Sequence, residues 1–481
     1  MMVEDLFINV TPVEIRSALL VDDVLVDLIV DQNDRTSVVG NVYLGRVERV
    51  MNGMQAAFVD IGLSRSGFLG LDNGRRRNGE PDIPVHEGEQ VIVQVTKDAL
   101  EGKGVQLSRR LALPGRYLVY APRQDRVMVS RQIEDEGERD RLTQIMTNLS
   151  SPEEGFIVRT AAVGISNEEL EADCKDLRQM WHDIEGSLSS SMVPSCLHED
   201  LDPMLRVLRD HALDNINAIY LDNAKAVSKA REFCERVMPG MADRVKFHNG
   251  PEQMFEQYGI EEEVSRAGEQ RVELISGGSL VIETLEALTA IDVNSGRFDN
   301  AGDHEQIAFL TNCEAAQEAA RQIRLRNISG LIVVDFIHME ETKHWNEVIK
   351  TFEEVCTRDR NPTRVLGLTN AGLVEVTRRR RREPLLNTMT QICETCGGVG
   401  RVRSLETISI EILRALRREA RVAGPGDLVV YAFEGIVDFL ENTFGIEVDG
   451  IEDEWGRTIV LRADKDYVRD RFDIVTERLN G

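Results

Sequence analysis

Asp292, Asn294 and Asp335 are the residues whose type and spacing point most directly to chemistry. Asp292 ends the alternating run EALTAID, and Asn294, two positions on, shares its strand face because side chains alternate. Asp335 ends Leu331–Val334, a wholly apolar run of the kind found in a buried parallel strand. Two carboxylates held close together repel unless a cation lies between them, and hard oxygen donors suit magnesium. The plainer reading, acids that cap strand ends, accounts for one aspartate more easily than for two.

Cys393 and Cys396 form a CxxC followed by Gly397, Gly398 and Gly400, which is half of a structural zinc site. There is no second CxxC, and the other five cysteines are isolated. A redox role is set aside because no thioredoxin-like βαβ unit is expected around the pair. Two thiolates per chain then imply a zinc shared across a two-fold axis. Between the aspartates and the CxxC lie five consecutive arginines, Arg378–Arg382. Such a run is either solvated or holds a polyanion.

The aspartates need elements to position them. From about Asp303 to Arg326, Ile307, Leu310, Ala316, Ala320 and Ile323 recur at helical spacing, with Asp303 as N-cap and Asn327–Gly330 as the stop. Strand, helix, strand is a crossover, so the two strands are predicted to lie parallel with both acids at their carboxyl ends, where open α/β sheets place their sites. A hairpin, Arg271–Leu274 with Ser279–Ile282, feeds the first of these strands. A second helix, Lys343–Arg358, and a strand, Val365–Thr369, follow.

The stretch that ends in Asp335-Phe-Ile-His338-Met resembles the catalytic segment of the ribonuclease E/G family, bacterial endoribonucleases that cut single-stranded RNA. The resemblance implies that Asp292 and Asp335 hold magnesium and that Asn294 positions the site. His338 departs from the family's DFIDM. Residues 37–110, with GRVERV, AAFVDIG, GFL and VIVQVTKD, resemble an S1-type RNA-binding barrel of the OB class. Spacing alone makes Phe58 and Phe68 barrel core, whereas the resemblance implies that they face RNA, with Lys103 as a phosphate contact. In GFIVRTAA, Arg159 beside Thr160 reads most simply as a solvated arginine after a strand. The resemblance implies instead a sensor for a 5′-monophosphate, with Val129 part of the same pocket and Asp125 standing where a glycine is expected. It also implies that Arg378 and Arg379 hold the RNA backbone, and that the CxxC is a zinc link joining two subunits, with Glu394 in place of a proline.

The chain of 481 residues has a net charge of −26, which argues against a wholly basic nucleic-acid binder. Clustered arginines, Arg75–Arg77, Arg109–Arg110 and Arg378–Arg382, predict a basic groove on an acidic body. No apolar run long enough to span a membrane occurs, the N-terminus lacks a signal-peptide pattern, and scattered cysteines indicate a reducing compartment. The expectation is therefore a cytoplasmic protein.

These readings give a multidomain α+β chain. The resemblance implies that residues 1–36 and 215–278 form the two parts of a ribonuclease-H-like subdomain, 37–116 the S1-type barrel, and 117–214 the 5′-sensor region. It likewise implies a DNase-I-like catalytic subdomain at residues 279–390, the zinc link at 391–400, and a small α+β oligomerisation domain at 401–481. After a loop, Gly186–Ser195, the pattern reads as helical to about Val237, and the chain's last element as a helix ending at Asn480. No arginine- and proline-rich extension follows, as in the shorter family members. The implied function is metal-dependent, single-strand-specific endoribonuclease action stimulated by a 5′-monophosphate, in ribosomal RNA maturation and mRNA decay, by a homodimer or homotetramer. A catalytically weakened RNA-binding scaffold is the alternative.

Overall fold

A computed structural model describes residues 3–32, 37–71, 85–99, 104–133, 135–212, 215–296, 304–380, 382–422, 424 and 426–477. The chain divides into two compact units, Met1–Thr388 and Met389–Gly481. Among the described residues no helix is long and apolar enough to cross a membrane.

Among the described residues, four sheets build the first unit. Glu4–Val10, Glu14–Val21 and Val24–Gln32 form an antiparallel meander. This meander is joined from far along the chain by Ile216–Leu221, parallel to Glu4–Val10, and then by Val245–Phe247. The strand Ile216–Leu221 corrects the expectation of a continuous helical region to Val237. Its INAIYL run is rich in β-branched and aromatic residues and is buried between two neighbours, where sheet pairing outweighs helical spacing. Helices Pro203–His211 and Ala224–Val237 cover one face of this sheet.

Val42–Met51, Ala56–Asp60, Gly67–Gly70, Gln106–Ser108 and Gln90–Lys97 pair in that order, and Val42–Met51 pairs back onto Gln90–Lys97, which closes a five-stranded barrel. Its core is Val47, Ala57, Val59, Leu69, Val93 and Leu107. Closure removes the exposed strand edges that such short strands would otherwise present. A four-stranded sheet follows, Val127–Val129, Glu154–Val158, Leu118–Pro122 and Leu113–Pro114, packed on helices Glu136–Leu149 and Asn167–Leu188. The longer helix begins with a Ser166–Glu169 capping box that satisfies its first free N–H groups.

The fourth sheet has the order Arg271–Glu273, Ser279–Thr284, Leu288–Asn294, Gly330–Asp335, Leu373–Arg378, Thr363–Leu368. Helix His304–Leu325 makes the crossover between its two central parallel strands, and helix Thr342–Cys356 packs beside it. Alanines 308, 315, 316, 319 and 320 line the buried face of the crossover helix, where small side chains permit close approach. Ile332 and Val334 are wholly buried, each contributing about 1.5–3 kcal/mol. In the sequence the alternation of the strand Leu373–Arg378 is masked by the arginines that follow it.

In the second unit, helix Leu405–Val422 precedes strand Asp427–Ala432, a helical stretch Glu434–Trp455 kinked at Phe444, and strand Ile459–Ala463 parallel to the first. The last described element is a strand, Phe472–Glu477, antiparallel to Asp427–Ala432, where a helix is expected; the end of that expectation, to Asn480, lies outside the described residues. Its FDIVTE alternates, and pairing with a central strand fixes it. Strand, helix and parallel strand here form a βαβ unit, which corrects the expectation that none accompanies the CxxC. That pair nonetheless lies ahead of the unit, in a turn. The N-terminus of the crossover helix, where a redox pair gains reactivity, carries Phe433 and Glu434 instead.

Candidate active site

Asp292 and Asp335 are direct register partners on adjacent parallel strands. Neighbouring strands lie about 4.8 Å apart, so the two carboxylates stand side by side on one face. Both are exposed, above a floor of buried Ile291, Val293 and Val334. Asn294 Nδ2 donates to Asp292 Oδ2 at 2.7 Å, which orients that carboxylate and leaves its other oxygen for a cation. Gly296 follows where the strand passes the hairpin turn. A Cβ there would stand 2.1 Å from the Gly277 carbonyl oxygen, so only glycine fits.

The loop after Asp335 is fixed without help from position 338. Asn312 both donates to the Ile337 carbonyl and accepts its N–H, at 2.8 and 3.0 Å. Glu305 accepts the N–H groups of Glu340 and Glu341 and pairs with His344, and these contacts hold its carboxyl below the usual range. His338 is exposed. The N-cap expectation for Asp303 lies outside the described residues.

On the barrel, Phe58 and Phe68 are register partners with ring centroids 6.1 Å apart in an edge-to-face pair. Both are half-buried and stand outside the barrel core, which removes the core reading. Register continues this outward row to Arg49 on one side and to Gln106 and Lys97 on the other. Aromatic faces bracketed by cations are what a single-stranded polyanion needs. Arg49, Gln106 and Lys97 carry no signal in the sequence, because cross-strand neighbours cannot be read without the register. Lys103 and Arg75–Arg77 lie outside the described residues.

Arg159 follows the strand Glu154–Val158, beside Val129, the register partner of Val158. Arg159 Nη1 donates to the Gly115 carbonyl and Nη2 to Asp210 Oδ1, each at 2.7 Å. It is therefore not simply solvated. Two of its five N–H donors are engaged, and a quarter of the side chain remains exposed. Burial alone would raise Asp210, but the Arg209 and Arg159 guanidiniums hold it well below the carboxylate range. Gly115 is steadied by the buried Asp173, which accepts the N–H groups of Arg116, Tyr117 and Leu118. Thr160 and Asp125 are exposed.

The two expected RNA arginines part company. Arg379 is exposed. Arg378 is buried, which corrects its assignment to RNA. Its Nε donates to Asp359 Oδ2 at 2.6 Å and its Nη1 to Asn327 Oδ1 and the Ile328 carbonyl at 2.8 and 2.9 Å. The preceding strand residues alternate, so Arg378 falls on the inward face, and a buried carboxylate awaits it.

The Cys393–Cys396 turn folds back on itself. The Gly397 N–H donates to the Cys393 carbonyl, and the Gly400 N–H to Cys396 Sγ at 3.4 Å. The N–H groups of Cys396 and Thr395 bring the Cys393 thiol below its ordinary value. Among the described residues no group of three or more metal-ligating side chains gathers.

The sequence pattern of the Ribonuclease E/G family matches residues 112–381. The chain belongs to the ribonuclease E/G family. A second pattern, described as the RNase E/G thioredoxin-like domain, matches residues 392–479 and agrees with the βαβ unit there. Ribonuclease G of Haemophilus influenzae is 35% identical over 98% of this chain and 99% of that protein. Ribonuclease G of Escherichia coli K12 is 35% identical over 98% of this chain and its own whole length. Ribonuclease E of Haemophilus influenzae is 39% identical over 85% of this chain but 45% of that protein. Of these three, the two ribonuclease G proteins are matched along nearly their whole length. The family match spans Arg159, Asp292, Asn294 and Asp335.

Proposed function

We propose that this chain is a single-strand-specific endoribonuclease that hydrolyses phosphodiesters at Asp292 and Asp335, leaving a 5′-phosphate and a 3′-hydroxyl. The observation that carries the reading is the side-by-side register of the two aspartates, with Asn294 orienting one of them. Their hard oxygen donors fit magnesium, and Asp292 and Asp335 would hold it. When bound there, the ion supplies neutralisation of the scissile phosphate and a lowered pKa for the attacking water. Asn294 keeps the Asp292 carboxylate turned toward the scissile group. Phe58, Phe68 and Lys103, with Arg49, Lys97 and Arg379, stack and neutralise the strand being cut. Arg159, Thr160 and the Val129 backbone receive a 5′-monophosphate, which stimulates cleavage.

Cys393 and Cys396 would hold a structural zinc with the same pair from a second copy, giving a homodimer or, through residues 401–481, a homotetramer. Ribosomal RNA precursors and mRNA in the cytoplasm are the substrates this reading names, and the ribonuclease-H-like, S1-type and DNase-I-like subdomains its framework. A weakened scaffold is disfavoured because Asn312 and Glu305 secure the loop after Asp335 although position 338 is histidine. The test is to incubate the full chain with an end-labelled single-stranded RNA, with magnesium or with chelator, and to map the product ends. Magnesium-dependent cuts bearing 5′-phosphates support the reading. Products with 2′,3′-cyclic phosphates, or cutting that survives chelation, refute it.

A further inference from the structure

Helix Pro203–His211 ends in an arrangement that neither its own sequence nor the proposed chemistry requires. A helix leaves its last four carbonyls without partners. Here Arg116 donates to the carbonyls of Arg209 and Ala212, and Arg360 to those of Asp210 and His211. Two guanidinium forks thus close all four, at the end where the helix dipole favours cations. One fork comes from the loop beside Gly115. The other comes from the loop that leads into the active-site sheet.

The same helix end carries Asp210, whose side chain grips Arg159. Next to Arg360, Asp359 is locked to Arg378 at 2.6 Å. Arg378 closes the strand whose first residue, Leu373, is the register partner of Asp335. Hydrogen bonds, the peptide link between Arg360 and Asp359, and one strand therefore connect Arg159, through Asp210, Arg360, Asp359 and Arg378, to the carboxylate site.

We propose that Asp210 and Arg360 are positioning residues of the 5′-end pocket, through which the active-site sheet sets the Arg159 fork and responds to a phosphate bound there. This rests on the reading of Arg159 and Thr160 as that pocket. Asp210, with the Gly115 carbonyl, fixes the plane of a guanidinium that stays a quarter exposed. A terminal phosphate that draws on it pulls against Asp210, and Arg360 carries that pull from the helix end to the loop 359–363. Neither residue touches the reacting atoms, so their loss acts on the response to the 5′ end.

The test uses the full chain and two RNAs of one sequence, one with a 5′-monophosphate and one with a 5′-hydroxyl, with kcat and KM measured separately. Wild type is expected to cut the monophosphate RNA faster. Arg360→Ala should lower the kcat ratio of the two RNAs by about tenfold, the scale of a typical coupling between sites, with the 5′-hydroxyl rate unchanged. Arg360→Lys, which keeps the cation but not the fork, guards against misfolding and should give an intermediate ratio. Asp210→Asn should raise KM for the monophosphate RNA alone. Arg360 variants that keep the wild-type ratio, or that slow both RNAs alike, overturn the proposal while leaving the pocket intact. A wild type indifferent to the 5′ end refutes the pocket itself, and the coupling with it.

Discussion

Replacing Arg378 by methionine removes the cation from a buried pair whose side chains are 3% and 8% exposed. The change forfeits the bonds to Asp359, to Asn327 Oδ1 and to the Ile328 carbonyl. Stripping one partner from a buried pair costs about 3–5 kcal/mol, because the other charge is left without compensation. Asp359 keeps the Asn361 N–H and the Thr363 hydroxyl, both at 2.9 Å, which places the expectation at about 3 kcal/mol, the lower end of that range. In a multidomain chain one melting curve does not isolate this loss, so the assay is amide hydrogen exchange across Leu373–Arg378 and Gly330–Asp335. The expected result is exchange faster by about a hundredfold there, with the barrel unaffected. Adding Asp359→Asn should restore part of the protection, since no unpaired charge then remains. Unchanged exchange, together with weaker, less salt-dependent RNA binding, would refute the burial argument and return Arg378 to the RNA surface.

Other outcomes follow from the same geometry. Phe58→Ala and Phe68→Ala should each weaken single-stranded RNA binding by about 1–3 kcal/mol in fluorescence anisotropy, with the thermal transition little changed because both rings are half-exposed. Burial, with Arg360 alongside, brings His211 down to about 3, so the folded chain keeps it neutral where the unfolded chain takes up a proton. Its contribution is present above the unfolded value and is lost as pH falls, by about 1.3 kcal/mol from pH 7 to 5.5. His211→Gln should flatten that part of the stability profile in denaturant titrations. Cys393→Ser should abolish zinc binding of about one ion per two chains and shift the mass by light scattering toward monomer.

The active-site sheet was legible in the sequence because a crossover writes itself locally: apolar runs, a helical period and an acid at each strand end. Asp292, Asn294 and Asp335 lie together for that reason. What escaped depends on partners distant in the chain. Arg378 looks like any member of an arginine run until Asp359 is folded against it. Ile216–Leu221 is a strand because Glu4–Val10 lies beside it. Phe472–Glu477, where a helix is expected, is a short run that its pairing with Asp427–Ala432 fixes as a strand. The row Arg49, Phe58, Phe68, Gln106 and Lys97 exists only once the barrel register is known, and Arg159, Asp210 and Arg360 meet from three separate stretches.

The central claim is that Asp292 and Asp335 together perform the cleavage, and it is tested most directly by comparing wild type with Asp292→Asn and Asp335→Asn. Each is assayed on a 5′-monophosphorylated single-stranded RNA in magnesium, with binding of the same RNA measured in parallel. Each substitution should lower kcat by about a hundredfold or more, the loss of several kcal/mol of charge stabilisation, while binding holds. Cleavage that persists at the wild-type rate in either variant would contradict the account.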